Sequence, residues 1–210
     1  MSKTQMSKLV KFTQLAVLTA IILVMTFTKF GYITLIPGVP EVNLVLLPVI
    51  VGAIVLGPLA GTYLGLICGI TSFITCFTGS PMGEILVAIN PVYTFITCVP
   101  TRVLAGFLCG AIYKLCNSKF KSEKTAQLAY PIAAVSCPIF NTLFFMSTLV
   151  LLFGKEDYIQ GMLVQSGAKN MFMFVLAFIG FNGLLEIALG LIVGSAVSKA
   201  LAVANKKMRI

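Results

Sequence analysis

An all-α membrane protein is the fold class this sequence predicts: a bundle of six transmembrane helices with both termini on the cytoplasmic side. Three observations carry that expectation, namely the scarcity of charge, the spacing of the apolar runs and the one-sided placement of the lysines. Of 210 residues, 59% are hydrophobic and 10% are charged, with a mean hydropathy of +1.04. That leaves too little polar surface to cover a core in water. At roughly 20 residues per span plus short connections, a chain of this length holds about six or seven spans. It reads as one compact membrane domain over 1–210, with no soluble domain attached.

Apolar runs separated by polar or Gly/Pro breaks predict helices near 9–30, 44–56, 59–77, 88–116, 127–152 and 169–199. The first follows lysines as a signal peptide would. It is too long for such an apolar region and lacks an Ala-x-Ala site, so it reads as retained. The second is short and needs a neighbour, a tilt or a re-entrant path. Gly57-Pro58 is a strong breaker and ends it.

Orientation follows the positive-inside rule. Lys3, Lys8 and Lys11 precede the first span, Lys114, Lys119, Lys121 and Lys124 surround the fourth connection, and Lys199, Lys206, Lys207 and Arg209 end the chain. A six-span path puts all of these on one face, leaving Lys29, Lys155 and Lys169 opposite and Arg102 within a span. The connections near 31–43, 78–87 and 153–168 then face outward. Tyrosine prefers the membrane interface. Tyr32, Tyr93 and Tyr158 fall near the outer boundary of this arrangement, and Tyr63, Tyr113 and Tyr130 near the inner one.

Gly57, Gly61, Gly65 and Gly69 form a stripe on the third span. In lipid, such a stripe lets two helices approach closely enough for dispersion and Cα–H···O contacts to hold them, so it predicts internal packing. Gly106 with Gly110, and Gly190 with Gly194, repeat the pattern. Ala16 and Ala20 place two small residues one turn apart in the cytoplasmic half of the first span. Internal packing and a smooth docking stripe for a partner helix both fit them.

Ionisable groups inside a membrane are expensive and usually functional. Two lie deep within predicted spans: Arg102 in the fourth and Glu186 in the sixth. At 1.5 Å per residue they lie roughly 20 and 25 Å below the outer ends of their helices. An ion pair that fixes helix register and an Arg102 that meets an anionic ligand in a cavity both remain open. Asn90, Asn141 and Asn182 add amides, which in lipid need a neighbouring helix or a bound polar molecule. Asn90 stands at the outer mouth beside Pro91, and Asn182 shares a face with Glu186. The first outward connection, 31–43, carries two prolines and ends at Asn43. The second carries Thr78-Gly-Ser-Pro-Met-Gly83. Apolar loops of this length fold over a site as a lid or merely connect helices.

Other chemistry is excluded or disfavoured. The sequence has no histidine, which rules out His-based metal sites, relays and triads. The six cysteines lie in apolar runs without a Cys-x-x-Cys and read as buried small hydrophobes. No Gly-x-x-x-x-Gly-Lys-Ser/Thr occurs, so ATP is not bound through a P-loop. One deep acid, Glu186, is too few for a self-powered ion-coupled pump. Uphill transport would need another subunit. Neither catalytic residues nor a cofactor or metal are expected. A lipid-modifying enzyme would need clustered acids or histidines, and a stand-alone facilitator or channel would have no ATPase partner.

The block Leu47-Pro-Val-Ile-Val-Gly-Ala-Ile-Val-Leu-Gly57-Pro58-Leu-Ala-Gly61-Thr-Tyr-Leu-Gly65 resembles the second and third helices of S-components. These are the substrate-capturing subunits of bacterial energy-coupling factor (ECF) vitamin transporters. Pro100-Thr-Arg102-Val-Leu-Ala-Gly106 resembles their Pro-Arg-x-x-x-Gly region, with Thr101 as a departure. Ala16-x-x-x-Ala20 matches the motif by which they dock. The resemblance covers the whole chain in length and topology. It implies a single substrate-binding domain in the bacterial cytoplasmic membrane that takes a vitamin from outside. The implied partners are a transmembrane coupling subunit, docked through Ala16 and Ala20, and two ABC ATPases. The site implied lies in the outward halves of helices four to six, beneath the first and third loops. The candidate substrate-binding residues are Asn43, Asn90, Tyr93, Arg102, Asn141, Lys169, Asn182 and Glu186. The second and third helices look closest to pantothenate S-components, and Arg102 or Lys169 would face the pantothenate carboxylate. Riboflavin, folate and cobalamin are the alternative vitamins.

Overall fold

The computed structural model describes residues 3–28, 30–33, 42–120, 123–165, 167 and 169–207. It is an all-α bundle with one small hairpin. Lys29, Lys121, Arg209 and loop residues 34–41 lie outside the described residues, as does the side chain of Asn182. In chain order the elements are α1 (Lys3–Phe27), β1 (Tyr32–Ile33), β2 (Val42–Asn43), α2 (Leu46–Leu56), α3 (Pro58–Thr75), α4 (Pro81–Ile89) and α5 (Pro91–Lys119). They continue with α6 (Glu123–Ala126), α7 (Ala129–Phe153), α8 (Asp157–Gln165) and α9 (Met171–Leu189). A π-helical segment (Gly190–Gly194) then leads into α10 (Ser195–Lys207).

Five described helices are long and apolar enough to cross a membrane: those over Lys8–Phe27, Pro58–Thr75, Pro91–Lys119, Ala129–Phe153 and Gly183–Lys206. The chain is therefore a multi-pass membrane protein. The sixth expected span, α2, has only 11 residues, or about 17 Å of helix against a hydrocarbon core of about 30 Å. Its side chains explain how so short a segment is kept in place. Leu46, Val49, Ile50, Ala53 and Ile54 are buried together with Ile22 of α1, Leu64 of α3, Ala105 of α5 and Ala134 of α7. The chain reverses at Gly57, whose φ of 103° suits a residue without a Cβ. Pro58 then opens α3 at a position where its missing N–H costs nothing.

The α3–α5 seam is the tightest contact. A Cβ added at Gly61 would run into the Gly106 carbonyl, and one at Gly65 into the Arg102 carbonyl. At Gly69 it would stand 2.8 Å from the Val99 Cα. The glycine stripe thus seats backbone on backbone inside the chain. Gly110 continues the seam against Pro58, while Gly190 and Gly194 pack on α7 and α2.

Several boundaries differ from the sequence-based expectation. The connection at 78–87 contains α4, with Ser80 accepting the Gly83 N–H at 3.3 Å as its cap and Pro81 in its first turn. The fourth span does not run back to 88. Pro91 disfavours helix at the preceding residue, so Asn90 is extended, with φ −158°, and α5 starts afresh. The connection at 153–168 likewise contains α8. Both short helices pack on the end of α7, where Leu86, Met146, Leu149, Phe153 and Ile159 form a second core. The last helix runs on to Lys207.

The basic termini share one end of the bundle. Gln14 Nε2 donates to Asn205 Oδ1 at 2.8 Å, and Lys199 Nζ donates to Gln127 Oε1 at 3.1 Å. The Tyr113 and Tyr130 rings meet there, 5.1 Å apart. Tyr93 meets Phe153 at 5.9 Å, with α5 beginning where α7 ends.

Gly65→Leu should separate α3 from α5 and cost roughly 3 kcal/mol or more, read as a collapse of the thermal melt in detergent. Gly161→Ala in α8, whose Cβ would meet nothing within 4 Å, should leave the melt unchanged or raise it slightly.

Candidate functional site

Above the α3–α5 seam lies a cavity of about 500 Å³. Its walls come from the ends of α3 and α5, from α4, from mid-α7, and from the Glu186 turn of α9. Tyr32 and Asn43 of the hairpin close one side, and Tyr158 and Met162 of α8 the other. Such a volume suits a drug-sized ligand. The hairpin is short, with Tyr32 paired to Asn43 and Ile33 to Val42, yet it brings two polar side chains over the opening.

Arg102 is 6% exposed. The glycine seam fixes its backbone, since its carbonyl covers Gly65. Its Nη1 donates to the Cys98 carbonyl at 2.8 Å, and its guanidinium carbon lies 5.9 Å from the centre of the Phe145 ring. Among the described residues no carboxylate pairs with it. Glu186 lines the same cavity, but its Oε1 accepts the backbone N–H of Asn43 at 2.9 Å. The ion-pair alternative is therefore not realised. Glu186 ties the hairpin to α9, and Arg102 faces the cavity.

Four buried side-chain atoms have no hydrogen-bond partner among the described residues: Tyr32 Oη, Asn43 Nδ2, Arg102 Nε and Asn141 Oδ1. All four residues line this cavity. Each such atom costs about 1–3 kcal/mol when left unpaired. Two are donors, one is an acceptor and the tyrosine is either. Burial pushes the Tyr32 hydroxyl up to about 12, so it stays protonated at neutral pH. Asn43 is held for its task, because its Oδ1 already accepts the Val45 N–H at 3.1 Å and its amino group is left free.

Of the residues expected at the site, Asn43, Arg102, Asn141 and Glu186 come together here. Asn90 does not line the cavity. Its Oδ1 accepts the Val92 and Tyr93 N–H groups at 3.0 and 3.1 Å, which makes it the cap of α5. Tyr93 packs on Phe153, and Lys169 is exposed in the turn before α9. Composition drew attention to amides and charges and so passed over Tyr32, Ser72, Thr94, Thr97 and Tyr158, which also line the cavity. Thr94 and Thr97 lie three residues apart on α5 with Cys98 and Arg102. That shared face was the available signal.

Away from the cavity, Ala16 and Ala20 are exposed on α1. A groove of about 510 Å³ runs beside them between α1, α2 and α10, and its walls are almost wholly apolar.

A family model described as “ECF transporter, substrate-specific component” matches residues 10–198. The chain is also similar to the pantothenic acid transporter PanT of Lactococcus lactis subsp. cremoris (strain MG1363). The two are 30% identical over 199 residues, which is 89% of this chain and 91% of that protein.

Asn90→Ala should cost about 1 kcal/mol, the usual worth of a helix N-cap, seen as a lower melting temperature. Asn90→Ser, which also caps, should recover most of the loss.

Proposed function

Because the chain belongs to the ECF transporter substrate-specific components, which are non-catalytic membrane transport subunits, we propose that it captures pantothenate from outside the cell. Residues 1–210 act as one substrate-binding domain, and other subunits supply the ATP-driven uptake. The observation that carries the substrate is the convergence of every unpartnered buried side-chain atom among the described residues on one cavity. Pantothenate offers a carboxylate, an amide and two hydroxyls. The carboxylate answers the buried Arg102, which has no acidic partner of its own. The Asn43 amino group and the Asn141 carbonyl oxygen suit the ligand amide and hydroxyls. Glu186 has one carboxylate oxygen occupied by the Asn43 N–H and so holds the hairpin over the site. The similarity to PanT points the same way. Cobalamin, several times larger than pantothenate, is a poor match to about 500 Å³.

The basic termini sharing one end support a cytoplasmic location for both, with α2 as the short sixth crossing. The hairpin and α8 then stand at the outer mouth. The exposed Ala16 and Ala20 support docking of α1 on the transmembrane coupling subunit, which carries two ABC ATPases.

Calorimetry on the purified chain with pantothenate, riboflavin and folate tests the substrate. Tight binding of pantothenate is expected, and no affinity for it beside tight binding of another vitamin overturns the reading. Arg102→Gln should weaken pantothenate binding by about 100-fold, the scale of a lost buried charge contact, with Arg102→Lys in between. Ala16→Leu with Ala20→Leu should abolish uptake in cells while the purified protein still binds. Equal loss of both would contradict the docking role.

A further inference from the structure

Two thiols stand outside every role described so far. Cys76, just after α3, and Cys98, in α5, bring their sulfurs to 3.9 Å, and both are buried. Both are free thiols. They are also the only cysteines among those lining the cavity. Cys68, Cys109 and Cys137 belong to the main core instead. At 3.9 Å the two sulfurs are in van der Waals contact, and a disulfide would bring them to about 2 Å. The Cys98 carbonyl accepts from Arg102 at 2.8 Å. The Arg102 guanidinium is therefore fixed against the backbone of the residue that carries this thiol.

We infer that Cys76 and Cys98 form a reversible dithiol–disulfide site, at which a peroxide entering the cavity switches substrate binding off. The Cys98 thiolate attacks one peroxide oxygen and the O–O bond breaks. The sulfur becomes a sulfenic acid, and the departing hydroxide takes up a proton to leave as water. The Cys76 thiolate then attacks the Cys98 sulfur. The S–S bond forms, the S–O bond breaks, and the second hydroxide leaves as water with the Cys76 proton. Two thiols are oxidised and one peroxide is reduced to two waters.

The effect on the ligand comes through α4. A Cβ placed on Gly83 would stand 2.7 Å from the Cys76 Sγ and 2.9 Å from its Cα, so α4 rests directly on this cysteine. Gly79, Ser80, Pro81, Met82 and Gly83 are all cavity wall. Drawing Cys76 toward α5 withdraws the support beneath that wall. The affinity half of this inference rests on the cavity being the substrate site, whereas the cross-link half does not.

The test uses the full chain in lipid nanodiscs, reduced and then titrated with hydrogen peroxide. Non-reducing peptide mapping by mass spectrometry and pantothenate calorimetry are run before and after. The expected result is a Cys76–Cys98 peptide lighter by two hydrogens and a fall in affinity of about tenfold, both reversed by dithiothreitol. Cys76→Ser and Cys98→Ser should each abolish the cross-link. Absence of that peptide overturns the inference, as does a cross-link that leaves affinity unchanged. Failure of the reduced protein to bind pantothenate would overturn the substrate reading instead, and it would be seen before any peroxide is added.

Discussion

Backbone-to-backbone contact between α3 and α5 is the constraint from which the rest of the molecule is built. In hydrocarbon, side chains gain nothing by leaving lipid for each other, so close approach of the main chains has to supply the cohesion. Gly61, Gly65 and Gly69 make that approach feasible on one side, with Gly106 answering on the other. The seam also sets the position of Arg102, whose carbonyl is part of the contact. From that fixed backbone the guanidinium is held by the Cys98 carbonyl and by the Phe145 ring. Its Nη1 donates to the Cys98 carbonyl, and among the described residues its Nε has no partner.

A rigid cation in an apolar bundle is costly. The fold meets that cost in an economical way, by leaving the charge unneutralised inside the chain and exposing it to a cavity. Glu186 is near enough to line the same space, yet its carboxylate is engaged by the Asn43 backbone. The cavity is therefore lined by a cation, by an acid with one oxygen already hydrogen-bonded, and by neutral donors and acceptors. On the substrate proposed above, Arg102 is the group that meets the ligand's carboxylate. Glu186 reaches across to hold the strand that carries Asn43, beside the pairing of the hairpin itself.

Much of this was legible in the sequence. Apolar runs located the long helices, Gly57-Pro58 located the reversal, and glycine spacing identified the face of α3 that is packed. Arg102 and Glu186 stood out because ionisable groups are rare in such runs. What escaped was local punctuation. Ser80-Pro81 and Asn90-Pro91 are each a cap followed by a proline, a helix-start signal. From the sequence alone they read as loop and as site, because the surrounding residues form one outward connection. Tyr32 and the threonines of α5 escaped for a different reason. Hydroxyls that bond their own helix, as Thr97 does to the Tyr93 carbonyl at 2.9 Å, look unremarkable until a cavity is seen beside them.

The widened turn at Gly190–Gly194 bears on how the last helix serves two masters. A π turn accommodates one residue more than an α turn, and each α-helical residue advances the azimuth by about 100°. The stretch that ends with Glu186 and the stretch that follows Ser195 are therefore out of phase. The first can aim an acid at the cavity, and the second can bury Ser198 and meet α1 through Asn205. Neither surface dictates the composition of the other. The turn works as a phase shift, which lets one helix present one face to the cavity and a differently aligned face to the basic end of the bundle.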